Sequence, residues 1–240
     1  SSHIGFKGSE KLGNGLTAVF QFETSIAADA VGGAGTAGAF TGSGRDTFVG
    51  LTGGFGTVLG GTLTHPLRAM GAKVDLIPGA AGIGTMASVT GVVGGLGQTG
   101  ADNRATNALA YVSPSFGGFT VTAAYVNGET ESNAAGVAEA KQYQLAGAYE
   151  NGPLYVGAGY HKNDNMGGIA ATDARVYRLA AVYTLPSATK LTALYDNTKV
   201  DGIGGVAGTF LKRNAWSVGA AQSFGMNTIG LEYARSGDVK

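Results

Sequence analysis

The predicted strands of this chain are joined by connections that alternate strictly between short and long, and this order constrains the fold more than any other feature. Period-two alternation of apolar with polar or small side chains predicts twelve strands, at 2–11, 16–24, 45–52, 57–63, 106–113, 119–127, 141–150, 154–163, 174–185, 190–200, 213–223 and 228–237. Tight turns follow the odd-numbered strands, at 12–15, 53–56, 114–118, 151–153, 186–189 and 224–227. Longer loops follow the even-numbered strands, at 25–44, 64–105, 128–140, 164–173 and 201–212. One edge of an up-and-down antiparallel sheet then carries only tight turns, an asymmetry typical of outer-membrane barrels.

The two faces of the predicted strands differ in polarity as a membrane-spanning sheet requires. In the second strand, Phe20 and Phe22 share one face, whereas Gln21 and Glu23 share the other. Most strands are about 8–11 residues long, the length that a tilted strand needs to cross a bilayer. A soluble sandwich also alternates, but its core needs bulky side chains, and the apolar positions here are rich in Ala and Gly, with aromatic residues near strand ends. The pattern therefore favours an all-β, transmembrane antiparallel barrel over a soluble sheet.

Charge and composition exclude several classes of function. The 16 basic and 16 acidic side chains balance, so nucleic acid is not expected as a partner. Cysteine is absent, which excludes disulfides and thiolate metal sites. The charge-free stretch from Leu76 to Gly97 contains Pro78 and seven glycines, so no membrane-spanning helix is expected there. A short turn of helix is predicted near 66–76.

Several stretches resemble the general-diffusion porins of Gram-negative bacteria, specifically the betaproteobacterial type. They are IGFKGSEKLGNGLTAVFQFE at 4–23, RDTFVGLTGGFGTVLGG at 45–61, NALAYVSPSFGGFTVTAAY at 107–125, GPLYVGAGY at 152–160 and RNAWSVGAAQSFG at 213–225. The first two hairpins, in that order, are the most specific part of the resemblance, which covers essentially the whole chain.

The resemblance implies an outer-membrane barrel of about sixteen strands, usually a homotrimer, that conducts small hydrophilic solutes and ions. Residues 1–240 would form a single barrel domain whose third loop, 64–105, folds inward to narrow the pore. In that register the chain holds the second through thirteenth strands, and a partial sequence is expected rather than a shortened barrel. The expected partners are the lipid bilayer, lipopolysaccharide and the conducted solutes, and no cofactor or metal is expected.

Alternation and the resemblance together give candidate pore residues. The strand residues expected to face the lumen are His3, Lys7, Gln21, Glu23, Gln142, Gln144 and Arg178. The third loop adds Arg68, Lys73, Asp75, Asp102 and Arg104. The family usually sets basic wall residues against acidic loop residues, and here Lys7 stands at the matching lysine while Asp75 is the best acidic candidate. Each of these residues could instead be a solvated charge on a polar face.

The chain departs from the family at three basic wall positions. His3, Gly61 and Ala110 stand where members often have Arg. The loss of these charges predicts a weakly selective pore, slightly anion-preferring when His3 is protonated.

An enzyme is not expected. The three histidines are scattered along the sequence, at His3, His65 and His161. A GxGxxG string at Gly33, Gly35 and Gly38 lacks the strand–helix context that a nucleotide site needs. The alternative that remains is an outer-membrane structural or adhesin barrel without significant transport.

Overall fold

The structure is a computed structural model that describes residues 2–26, 40–76, 99–129 and 135–240. Its elements are β1 (Ser2–Gly13), β2 (Leu16–Ile26), β3 (Phe40–Gly44), β4 (Thr47–Gly53), β5 (Gly56–Thr64), α1 (Pro66–Val74), β6 (Arg104–Val112), β7 (Phe119–Asn127), β8 (Lys141–Asn151), β9 (Leu154–Asp164), β10 (Asp173–Thr184), β11 (Thr189–Asp201), β12 (Phe210–Phe224) and β13 (Asn227–Ser236). Twelve of these strands pair in chain order in one antiparallel sheet, and β3 pairs with β2 beside that path. The GxGxxG string and all of the charge-free stretch except Leu76 lie outside the described residues.

The strand pairing confirms the predicted alternation of short and long connections. β1 and β2 pair from Ser2 with Ile26 to Gly13 with Leu16. Between them Gly13, Asn14 and Gly15 have φ of 92°, 49° and 77°, a left-handed conformation that Gly and Asn adopt readily. Tight turns likewise join β4 to β5, β6 to β7, β8 to β9, β10 to β11 and β12 to β13.

Three local features differ from the sequence prediction. The sequence does not predict β3, because its five residues include two glycines and give no period-two signal. β12 begins at Phe210 rather than 213, since β11 extends to Asp201 and Phe210 pairs with that residue. Two short 3₁₀ helices, Met166–Gly168 and Ile203–Gly205, lie in predicted loops.

One face of the sheet is apolar and exposed. Phe20 and Phe22 on β2 are 49% and 51% exposed, and Leu179 on β10 is 57% exposed. Aromatic rings pair across neighbouring strands on this face, with centroids 4.5–5.4 Å apart in Phe119–Tyr149, Tyr125–Tyr143, Tyr160–Tyr177 and Trp216–Tyr233. A water-soluble sheet buries such a face, whereas lipid solvates it. This outer face is the predicted lipid-facing side.

The helix α1 packs on the opposite face, here called the inner face. Leu67, Met70, Gly71 and Val74 are buried there, against β8 to β11. Pro66 suits the first helical turn because it has no N–H to leave unsatisfied. A Cβ on Gly159 of β9 would lie 2.8 Å from Leu67 Cδ1, so glycine clears space for the helix. Among the described residues, no helix has the length and hydropathy to cross a membrane.

Candidate functional site

Arg178 on β10 joins the inner face to both ends of the connection between β5 and β6. Its guanidinium donates to both carboxylate oxygens of Asp102, at 2.6 and 2.8 Å, and to the carbonyl of Leu67 at 2.7 Å. It also donates to both oxygens of Asp196, its cross-strand neighbour on β11, at 2.8 and 2.6 Å. Arg178, Asp102 and Asp196 are 1%, 5% and 0% exposed. We call these three residues the arginine clamp.

The arginine clamp satisfies the requirement that a buried charge be paired. Two fork-to-fork pairs use the planar guanidinium fully, an arrangement that a lysine cannot reproduce. The desolvation cost of burying these ions is large, and the five hydrogen bonds offset it only while all partners are present. The clamp therefore fixes the position of the connection at Leu67 and Asp102 rather than acting as a free charge.

A second anchor runs through Gln144 and His161. The backbone N–H of Leu67 donates to Gln144 Oε1 at 3.1 Å, so the amide Nε2 of Gln144 faces His161 Nδ1 at 2.9 Å. His161 Nδ1 therefore accepts, and its Nε2 carries the proton toward the carbonyl of Thr99, 3.1 Å away. Asn163 Nδ2 donates to the same carbonyl at 3.0 Å. This anchor also holds both ends of the connection.

His65, just before α1, lies beside the second anchor. Its Nδ1 donates to the carbonyl of Gly100 at 2.8 Å, and its ring centroid lies 5.9 Å from that of His161. Burial lowers the pKa of the His65 imidazole below its ordinary value of 6.5. His65 and His161 are far apart in the sequence, but the fold brings their rings together beside the connection between β5 and β6.

Comparison with known proteins gives the family. A family model described as "Gram-negative porin" matches residues 1–240. The chain belongs to the Gram-negative porin family. It is 33% identical, over 98% of its length, to outer membrane porin protein 32 of Delftia acidovorans, and it spans 64% of that relative.

Solved structures agree with the family assignment. The anion-selective porin from Comamonas acidovorans superimposes with a TM-score of 0.78 at 32% identity, covering 97% of this chain and 67% of that one. The outer-membrane-expressed OmpT of Vibrio cholerae gives a TM-score of 0.69 at 17% identity, over 99% of this chain and 68% of that one, and supports the fold alone. The chain is thus an outer-membrane protein, and its antiparallel sheet has the fold of the transmembrane porin barrels.

Three of the predicted pore residues of this porin are buried, namely Arg178, Asp102 and Gln144. They lie on the inner side under the connection, and the Arg178 guanidinium is shared between the carboxylates of Asp102 and Asp196. Their role in the pore stays a prediction, and the burial shows only that the side chains of Arg178 and Asp102 are not exposed charges. Arg68 donates to the carbonyl of Asp102 and supports the same segment.

Other predicted residues of the porin form ion pairs on the inner face. Arg104 Nε lies 3.3 Å from Asp46 Oδ2, and Asp46 also accepts from the backbone N–H of Thr64 at 2.6 Å. Glu23 pairs with Arg45. These contacts neutralise charge near the long-loop edge of the sheet.

The end of α1 lies toward the tight-turn edge. Lys73 Nζ is 2.7 Å from Glu150 Oε2, and both side chains are at least half exposed. Beyond the helix, the backbone N–H of Leu76 donates to Glu232 Oε2 on β13 at 3.1 Å. Asp75, the predicted acidic partner of the wall, thus lies beside an acidic residue of β13.

The first hairpin of the porin carries the remaining candidates. Lys7 and Gln21 are cross-strand partners on the inner face, and Lys7 is exposed. Gln21 Nε2 donates to the carbonyl of Asp46 at 3.3 Å. His3, also exposed, lies further along β1, opposite Ser25.

Sequence reasoning missed Asp196 and underrated His161. Asp196 was missed because the predicted turn at 186–189 would set Arg178 opposite Asn197, whereas the observed pairing of Thr184 with Lys190 sets it opposite Asp196. The contact of His161 with Thr99 depends on the path of the long connection, for which the sequence gives no signal.

Proposed function

We propose that this chain forms the wall and the constriction of a water-filled outer-membrane channel for passive diffusion of small hydrophilic solutes and ions. The observation that carries the proposal is the arginine clamp, which ties both ends of the longest connection, 64–105, to the inner face. A connection held there narrows the lumen of a barrel, and a narrow polar lumen is what a diffusion channel requires.

The ion pairs of the inner face support weak selectivity. Glu23 with Arg45, Asp46 with Arg104 and Glu150 with Lys73 are local pairs whose fields largely cancel. The clamp pairs Arg178 with two carboxylates, and the buried Arg213 acts electrostatically on the second of them, Asp196. Lys7 is the exposed candidate that contacts no acidic side chain among the described residues, so a slight preference for anions is expected. A relative is named an anion-selective porin, and this chain lacks Arg at His3, Gly61 and Ala110.

The outer face fits a lipid environment, and we propose the bilayer and lipopolysaccharide as its partners. A homotrimer, as is usual in the family, is proposed for assembly. The family consists of channels rather than enzymes, so no catalysis is proposed.

The test is the ion current of the purified protein in a planar bilayer under a salt gradient. Stepwise conductance with a small reversal potential of the anion-selective sign is expected. Stable insertion without conductance would contradict the channel and favour the structural or adhesin barrel. A large reversal potential of the cation-selective sign would contradict the proposed selectivity alone.

A further inference from the structure

A polar cavity lies at the long-loop edge of the inner face, apart from the arginine clamp. Its volume is about 460 Å³, and it is bordered by Gly100, by Gln142 and Asn163 on neighbouring strands, and by Met166, Ile169 and Ile203 from two further loops. Three long connections therefore meet around one cavity, which none of the assigned ion pairs uses.

Two buried oxygens at this cavity lack partners among the described residues. Asn163 is 5% exposed, and because its Nδ2 donates to Thr99, its Oδ1 is left as a free acceptor. Gln142 Oε1, from the cross-strand partner of Asn163, is also buried without a partner. Buried acceptors of this kind cost free energy unless a donor reaches them.

Glycine keeps the space beside these oxygens open. Gly100 has a φ of 92°, and a Cβ there would lie 3.1 Å from Gln142 Oε1 and 3.3 Å from Asn163 Nδ2. A larger residue would be strained in backbone and crowded in the cavity. Glycine at position 100 therefore keeps a side chain from filling the space beside the two acceptors.

The lining defines the chemistry of an occupant. The side chains that border the cavity include Asn103 and Thr172 but carry no formal charge, so an ion has no counter-charge there. The unpartnered atoms are acceptors, so the occupant must donate hydrogen bonds. Met166, Ile169 and Ile203 provide an apolar wall opposite them. Hydroxyl donors combined with a face of C–H groups are the features of a polyol.

We infer that this cavity is a binding subsite for a small neutral polyhydroxylated solute, of monosaccharide size or smaller. The solute would reach it through the lumen, so its effect on current rests on the proposed channel. Binding itself does not require conduction, which allows the two proposals to fail separately.

The experiment measures block of the ion current by D-glucose in the protein reconstituted in a planar bilayer. A saturable block by glucose is expected, with no block by permethylated glucose, which has no hydroxyl donors. Gln142→Met keeps the length of the side chain, removes one acceptor and removes none of the hydrogen bonds described for the two anchors. It should raise the half-blocking concentration about tenfold. The matched variant Gln222→Met, near a tight turn, should leave it unchanged.

Four results would overturn the inference. The first two are equal block by glucose and permethylated glucose, and block that Gln142→Met does not weaken. The third is block by methylammonium in place of glucose. The fourth is normal current without saturable block, as expected if the cavity holds only water. If the protein does not conduct, the channel fails and the subsite is tested by calorimetry with glucose in detergent. A saturable heat of glucose binding that is lost in Gln142→Met would then support the subsite, and the absence of any heat of binding would overturn the subsite.

Discussion

Arg178 and Lys7 are both cations on the inner face, yet the structure gives them opposite surroundings. Arg178 on β10 is 1% exposed and makes five hydrogen bonds to two carboxylates and a carbonyl. Lys7 on β1 is exposed opposite Gln21. The same period-two alternation places both residues, so alternation alone does not separate a structural charge from one that acts on ions. The two cations differ because the connection between β5 and β6 covers Arg178, whereas Lys7 stays exposed.

Removing the arginine side chain should have the largest effect. Arg178→Ala leaves Asp102 and Asp196 buried without their hydrogen-bonded counter-charge, and the expected loss is about 3–5 kcal/mol in the free energy of unfolding. Urea unfolding in lipid vesicles measures this loss. The single-channel conductance should also fluctuate more, because the connection between β5 and β6 is held less firmly against the inner face. Arg178→Lys should recover only part of the stability. A loss below about 1 kcal/mol would mean that the clamp is not the main anchor.

The first hairpin should respond differently on its two faces. Phe20→Arg places a charge in lipid and should cost about 2–4 kcal/mol near the middle of the bilayer. Gln21→Arg, one residue along, enters the aqueous face and should be tolerated. The same unfolding assay compares the pair, and equal stability of the two variants would remove the assignment of the outer face.

Acid should weaken the covered region through His65, which lies outside the strands. Its lowered pKa means that the unfolded chain takes up a proton at a pH where the folded protein does not. Stability is therefore fully present above the ordinary pKa of 6.5 and declines as the pH falls below it toward the folded-state pKa. His65→Gln should flatten this part of the profile. If stability instead rose as the pH fell through this range, the predicted direction of the pH dependence would be wrong.

Reversing Lys7 should have the smallest effect on stability and a clear effect on ions. Lys7→Glu changes an exposed residue and should alter the free energy of unfolding by about 0.5 kcal/mol or less. The reversal potential under a salt gradient should shift toward cations. Lys212→Glu makes the same charge change at an exposed residue of β12 and should leave the reversal potential near that of the unmodified protein. Equal shifts of the reversal potential in both variants would show that Lys7 acts on the permeating ions no more than Lys212 does.

The strands could be predicted because lipid outside and polar groups inside impose strict alternation on each one. Phe20 and Gln21 follow that rule. The register is harder to predict, because a shift of one residue in the turn after β10 decides whether Arg178 lies opposite Asp196 or Asn197. The contact between Arg178 and Asp102 could not be predicted. It depends on how the connection returns from α1, and no periodicity governs that path. The burial of Arg178 depends on this contact, so it could not be predicted from alternation along β10 either.

We propose that the connection from β5 to β6 is held against the inner face while the channel is open. A Cβ on Gly230 of β13 would lie 3.9 Å from Leu76 Cβ, which is within the range for a disulfide. The native chain has no cysteine, so Leu76→Cys with Gly230→Cys reports on this contact alone. Leu76→Cys with Gly147→Cys, on the outer face, is the control that should not link.

The decisive measurement is the single-channel current of the Leu76→Cys, Gly230→Cys protein before and after reduction, with cross-linking followed by gel mobility. The account predicts that the disulfide forms readily and that the cross-linked protein conducts like the unmodified one in both states. Failure to cross-link, or cross-linking of the outer-face control instead, would contradict it.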